Sequence, residues 1–395
     1  LPGIGILKNI VKDYSWGSRY FIQELLGETS SGCHPAAEMW MGTHPGGPSK
    51  FVNLDGEIPL ADLIKRDPVG ILGRDVSSVF KSTLPFMFKV IAAANPLSIQ
   101  VHPDRVRARE GFLRENCLGI PIDSPQRSYK DAFHKPEILC ALSEFHALVG
   151  LRPTVNTLEL LKNLSVSIET DDIAAPGRFF RRILTMDRTL VGDMVRRTAE
   201  TARELADMEP VFEWIARLSC DYPDDPGCLV PALLNLITLR PGDAIYVPPG
   251  EPHVYLGGSA IEVMANSDNV LRGGLTSKHV DIDEFVDAIR WEEKIPAVLT
   301  PRRIGPCEMQ YRAPAKEFIL SVIHVDGKRP YTGGFERSVE IHLCVGGEGV
   351  ITGEKGSDPL RFRKGQSFLV PASVKTYTIE GAAKLYKVAV PFIRP

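Results

Sequence analysis

Short apolar runs bounded by glycine and proline dominate most of the chain. Leu84–Ile91, Glu137–Leu142, Ala244–Val247 and Ala260–Met264 are each four to eight residues long, the length of β-strands. The middle of the chain differs. From Pro153 to about Cys228 the apolar spacing changes from two to three or four. Val191, Val195, Thr198, Ala202 and Leu205 form a helical stripe between charged residues. Pro210 is placed to open a second helix, with Phe212, Ile215 and Leu218 on one face. Leu158, Leu161 and Leu164 predict a third, and Asp221–Gly227 closes the block. This pattern predicts an α-helical insertion within a β domain, acting as scaffold or lid. After Pro301 the short strands return.

The two β portions share a repeat. Gly242 through His253 aligns without gaps to Gly365 through Thr376, with the glycine, the apolar strand and a proline (Pro248 and Pro371) at equal spacing. Two β domains of common ancestry are expected. With 34 glycines and 31 prolines as punctuation, the fold class is predicted to be mainly β.

Composition narrows the function. A chain of 395 residues has room for two or three domains and a sizeable core. Its net charge of −3 argues against an electrostatic nucleic-acid binder. No window approaches the roughly 18 unbroken apolar residues of a membrane span. Seven cysteines without paired spacings suggest reduced thiols and a cytoplasmic setting.

Four clusters carry chemistry. In Leu97–Pro103, Ser98, Gln100 and His102 alternate with Ile99 and Val101, so strand geometry puts the polar groups on one face. That face could chelate one ion or simply be solvated. In His134–Leu142, Glu137 heads an apolar strand on the face of Leu139 and Ala141. A carboxylate buried there needs a cation, whereas an exposed one would pair with a lysine. Gly242–His253 resembles the second signature of the cupin jelly-roll superfamily, in which the final histidine binds a metal; alone, it also fits a structural histidine. In Glu262–Lys278, Arg272 precedes two glycines that would allow a ligand to approach closely. Arg272 and Lys278 could bind an anion or a developing oxyanion, or form a surface turn. Gln100, His102, Glu137 and His253 together offer mixed nitrogen and oxygen ligation suited to zinc, with Mn, Co or Fe as alternatives.

The chain also resembles a known family, the type I mannose-6-phosphate isomerases, which are zinc-dependent cupins. The resemblance runs nearly end to end, through Tyr14–Ser18, Ala37–Pro45, Phe88–Val90, Leu97–Asp104, His134–Glu137, Tyr246–Tyr255 and Ser267–Thr276. It implies two cupin-type jelly-roll domains with an α-helical insertion. The catalytic unit would span 1–152 and 229–300, the insertion 153–228 and a metal-free C-terminal jelly roll 301–395. It implies one Zn2+ per chain on Gln100, His102, Glu137 and His253. It implies a catalytic arginine at Arg272 and pocket roles for Glu262 and Lys135, with substrate contacts from Ser98, Lys89, Tyr255, Asp268 and Lys278. For the catalytic base, the chemistry of an inward carboxylate favours Glu262, with Lys135, Asp268 and a metal-bound water as the alternatives. The implied reaction interconverts mannose 6-phosphate and fructose 6-phosphate through a cis-enediol. A metal-dependent cupin oxygenase and a non-catalytic sugar-binding cupin are the alternatives. The expected partner is a small sugar phosphate, without nucleic acid or membrane, on a monomer or weak homo-oligomer. The sequence departs from the family pattern at Gly250, where many members have Asn, and at Ser277, where many have Pro; both concern loop geometry.

Overall fold

In the computed structural model, which describes residues 3–28, 34–53, 56–166, 176–186, 188–354 and 358–391, the described strands fall into two large antiparallel sheets, with helices packed outside them. The architecture is therefore a mixture of sheets and helices.

The first sheet is organised by one long strand, His253–Ala265. Its first half pairs with Ile99–Val101 and Phe145–Leu151, and its second half with Phe86–Ala93 and Glu137–Ala141. The register shifts between Tyr255 and Gly257, where a bulge bends the strand and lets one segment serve two sets of partners. The curled inner face carries Ile91, Leu139, Phe145, Val149, Ile245 and Tyr255 as one apolar cluster. Alternation sends Ile138, Cys140, Ile261 and Val263 to the opposite face, into a different cluster.

The helical stripe expected in the middle of the chain is present. Helices span Thr154–Asn163, Pro176–Leu184, Arg188–Glu204 and Pro210–Asp221. Val191, Val195, Thr198 and Ala202 are buried, as are Phe212, Ile215 and Leu218. Pro210 occupies the first turn, where its missing N–H costs no hydrogen bond. These side chains pack against Ile99, Val101, Leu148, Val254 and Leu271 on the outer face of the first sheet. Burying each large side chain stabilises by roughly 1.5–3 kcal/mol, so the helices brace these strands from behind.

The second sheet runs, in spatial order, Arg302–Arg303, Glu308–Tyr311, Ile319–Asp326, Tyr377–Ala389, Glu340–Thr352, Ser367–Val370, Gly5–Lys8, Lys50–Asn53 and Gly56–Pro59. Three of its strands thus come from the beginning of the chain. Leu7 and Phe51 join Leu320, Ile341, Leu343, Tyr386 and Val388 in one core with Phe88, Val90, Ile138 and Val263 of the first sheet. The six described cysteines are free thiols; Cys33 lies outside the described residues. Among the described residues no helix is long and apolar enough to cross a membrane.

Candidate active site and metal centre

Register builds the site. Gln100 lies opposite His253 on one neighbouring strand and opposite Arg272 on the other. Residues directly opposite one another share a face, so the three side chains stand in one row. Ile99 and Val101 point the other way, into the helices. His102 follows immediately, and its carbonyl accepts a 2.7 Å hydrogen bond from the N–H of Gly250. Gly250 has φ +85°, in the left-handed region that Asn and Gly both tolerate, which explains why the departure from Asn leaves the loop intact. The same loop connects Val247, paired with Glu137, to His253.

His102, Glu137 and His253 are fully buried, and one ligand atom from each lies within 4.8 Å of the others. His102 Nδ1 donates to the carbonyl of Asn269 at 2.8 Å, and His253 Nδ1 to that of Glu251 at 3.0 Å. Carbonyls only accept, so both rings carry their proton on Nδ1 and turn an Nε2 lone pair toward Glu137. His102 Nε2 is 3.1 Å from Glu137 Oε1 and His253 Nε2 is 3.8 Å from Oε2. Nevertheless His102 Nε2 has no hydrogen-bond partner. Burial pushes the His102 imidazole down to about 4 and lowers that of His253, keeping both neutral at pH 7. Burial alone would raise the Glu137 carboxyl, but His102 first, then Lys135 and His253, hold it well below the ordinary range. With both rings neutral, the standing positive charge beside it is Lys135, at 3.3 Å. Two converging lone pairs, one of them orphaned, and an ionised carboxylate fit a divalent cation of the zinc class. Gln100 joins from the next strand; its Nε2 donates to Ser98 Oγ at 3.3 Å, leaving the amide oxygen free.

A second polar row crosses the same face. Trp40 lies opposite Lys89, and Lys89 opposite Glu262. Lys89 Nζ is 2.9 Å from Glu262 and 3.8 Å from Glu38, while Trp40 Nε1 donates to Glu38 at 2.7 Å. Burial raises the Glu262 carboxyl and Lys89 opposes the shift, while the two carboxylates raise the Lys89 ammonium against its own burial. Tyr255 is buried beneath this floor and donates to Glu137 Oε2 at 3.1 Å.

Above the floor opens a cleft of about 690 Å³ lined by Trp40, Lys89, Gln100, Lys135, Asp268 and Arg272, among others. Ser98 lines it too, and Lys278 stands exposed at the rim beside Lys130. Among the described residues, Arg272, Lys130 and Lys278 meet no carboxylate within ion-pair distance. Arg272 and Lys130 add to burial in lowering the Lys278 ammonium, which places three cations around one opening. Asp268 Oδ1 is 3.1 Å from His44 Nε2, and Gly46 N–H donates to His44 Nδ1. His44 therefore donates to Asp268 and fixes it at the cleft. His134 instead turns to Glu317, at 2.8 Å.

The glycines after Arg272 have a different role from the expected ligand approach. A Cβ on Gly273 would meet the Phe285 ring at 2.5 Å, and one on Gly274 would meet Asp225 Oδ1 at 2.8 Å. They let a helix and a loop pack closely behind the strand. Sequence reasoning missed Glu38, Trp40 and Lys130 as site groups. Strand pairing across the sheet places Glu38 and Trp40, and the Asn269 side chain, accepting from the N–H of Lys130 at 2.8 Å, places Lys130.

Residues 5–154 match the family model "Phosphomannose isomerase type I, catalytic domain", and residues 309–390 match "Mannose-6-phosphate isomerase, cupin domain". The chain is 36% identical to the mannose-6-phosphate isomerase of Escherichia coli (strain K12), covering 97% of this chain and 98% of that one. It is 29% identical to the Homo sapiens mannose-6-phosphate isomerase over 94% of each. Among solved structures, a zinc-bound mannose 6-phosphate isomerase superposes with TM-score 0.89 at 34% identity, covering 99% of this chain and all of that one. A mutant of phosphomannose isomerase from Salmonella typhimurium gives 0.90 at 33% identity. The motifs, the buried histidine and carboxylate cluster and these full-length matches agree: the chain belongs to the type I phosphomannose isomerase family.

Proposed function

We propose that the chain interconverts mannose 6-phosphate and fructose 6-phosphate, with one zinc ion held by Gln100, His102, Glu137 and His253. The observation that carries this reading is the convergence of His102, Glu137 and His253 under a cleft whose rim bears unpaired cations. Zinc there supplies Lewis-acid polarisation of the substrate carbonyl. The remaining work falls to side chains. Glu262, with its carboxyl raised by burial, carries the proton between carbons 2 and 1, and Lys89 at 2.9 Å holds it in place. Arg272 presents a half-buried guanidinium, free of any carboxylate among the described residues, to the negative charge that develops on the enediol oxygens. Lys135 keeps Glu137 ionised and adds a cation at the cleft floor. Tyr255 orients Glu137 from beneath, and Trp40 walls the cleft against water. Ser98, Asp268 held by His44, and Lys278 with Lys130 are the groups available to sugar hydroxyls and phosphate. No observation favours the oxygenase or the non-catalytic alternative.

Both sheets are read as cupin-type jelly rolls. The catalytic unit comprises 1–152 with 229–300, the helical insertion 153–228, and the metal-free unit 301–395, to which the strands within 5–8 and 50–59 are lent. Purified zinc-loaded protein incubated with mannose 6-phosphate should form fructose 6-phosphate in a coupled assay. No turnover with the metal fully loaded would sink the proposal.

A further inference from the structure

The two sheets repeat one another in register. The internal repeat sets Val370 at the position of Val247, and their cross-strand partners are Glu340 and Glu137. Two residues on, Leu139 faces Glu262 in the first sheet and His342 faces Lys387 in the second. Glu262 faces Lys89, and Lys387 faces Ser321; beyond them stand Trp40 and Gln310. Tyr377 donates to Glu340 at 2.8 Å, as Tyr255 does to Glu137. Glu308 takes the place of Glu38, two residues before Gln310 as Glu38 is before Trp40. The second sheet thus keeps the polar interior of the active site with the chemistry altered. Thr376 stands where His253 would be, and the cation is a lysine. Lys387 Nζ lies 2.7 Å from Glu308, 2.9 Å from the Tyr331 hydroxyl and 3.6 Å from Glu340.

This interior opens into a cavity of about 590 Å³, within the usual range for small-molecule sites. Glu308, Gln310, Ser321, Tyr331, Thr332 and Lys387 line it. Ser321 is fully buried there, and its Oγ has no hydrogen-bond partner. A buried hydroxyl without a partner is costly, and a ligand that bonds to it recovers the loss. Charge selects the ligand class. Lys387 is neutralised by its carboxylates, and Arg337 is tied to Glu340 at 3.3 Å and to the carbonyls of Pro371 and Val374. Among the described residues the cavity therefore offers no spare cation to a phosphate, unlike the catalytic cleft. It offers hydroxyl, amide and carboxylate groups, which suit partners that both donate and accept.

We propose that the C-terminal sheet holds a second, metal-free pocket for an uncharged polyhydroxylated molecule, a free sugar or sugar alcohol. The test uses zinc-loaded full-length protein, with mannose 6-phosphate saturating to occupy the catalytic cleft. D-mannitol and D-mannose are then titrated by saturation-transfer NMR. Saturable binding is expected, weakened at least tenfold in both Ser321→Val and Thr332→Trp, with isomerase turnover unchanged. Thr332 is exposed at the cavity rim, so Thr332→Trp decides the matter if Ser321→Val fails to fold. Three results would overturn the proposal: no saturable binding of either probe, binding unchanged in both variants, or inorganic phosphate binding that both variants abolish.

Discussion

Lys89 Nζ and Glu262 Oε2 stand 2.9 Å apart on facing positions of adjacent strands, each side chain less than a tenth exposed. A buried carboxylate alone would be driven toward its neutral form; the ammonium beside it partly restores the charge. The pair thus sets the protonation state of the group proposed to move the proton.

Lys89→Met should raise the Glu262 carboxyl further, because burial, Glu137 and Glu38 are then opposed by Lys135 alone, the weaker of the two cations. A base must be ionised to act, so the acid limb of kcat/KM should move to higher pH by about one unit or more. The pH profile of the residual activity measures this. A limb that stays in place would remove Glu262 from its proposed role.

Glu137→Ala and His253→Ala should each lose stable metal binding, since each takes one of few converging ligands. Elemental analysis after dialysis against a chelator should show one zinc per chain in the parent protein and almost none in either variant. Two tightly held ions in the parent, the second lost on His342→Ala, would contradict the single-site assignment.

Arg272→Ala should behave differently. Among the described residues its guanidinium touches no carboxylate, and its cross-strand neighbour is Gln100. Zinc content and melting temperature should remain near those of the parent, while kcat falls about 100- to 1,000-fold, the usual effect of removing one electrostatic partner of a developing oxyanion. Full activity, or loss of zinc, would refute the role.

In the C-terminal sheet, Glu340 predicts an acid sensitivity. Burial would raise its carboxyl, but Lys387, His342 and Arg337 around it hold it down to about 2, below the ordinary 4.5. Its ionised form therefore stabilises the fold fully above about pH 4.5, and that contribution is lost as pH falls toward 2. Urea unfolding of Glu340→Gln and the parent at pH 7 and pH 2.5 should show the parent losing more stability on acidification, by on the order of 3 kcal/mol. Equal losses would mean the buried pair is not the acid-sensitive element.

The candidate ligand types are legible in the chain itself. Ser98, Gln100 and His102 alternate with two apolar residues, and that period alone puts them on one face. The helical stripe through Val191, Val195 and Ala202 was equally readable, because both signals arise from local backbone geometry. The glycine pair after Arg272 was not. Positive φ and small size look alike in sequence whether a ligand or Phe285 fills the space.

The sequence by itself determined the strand runs around the site and the helical stripe within 153–228, though not the helices Leu60–Arg66, Arg105–Cys117 and Ile282–Ala288 outside that block, and it determined which residues could ligate a metal or carry charge. Both follow from periodicity and side-chain chemistry within a few neighbouring positions. Only the tertiary structure decided that Gly5–Lys8 completes the C-terminal sheet, that Gln100 stands between His253 and Arg272, and that Lys387 occupies the counterpart of Glu262. Those facts depend on register between strands far apart in the chain. A shift of one residue would turn every side chain to the other face, so only packing of the assembled core selects among the alternatives.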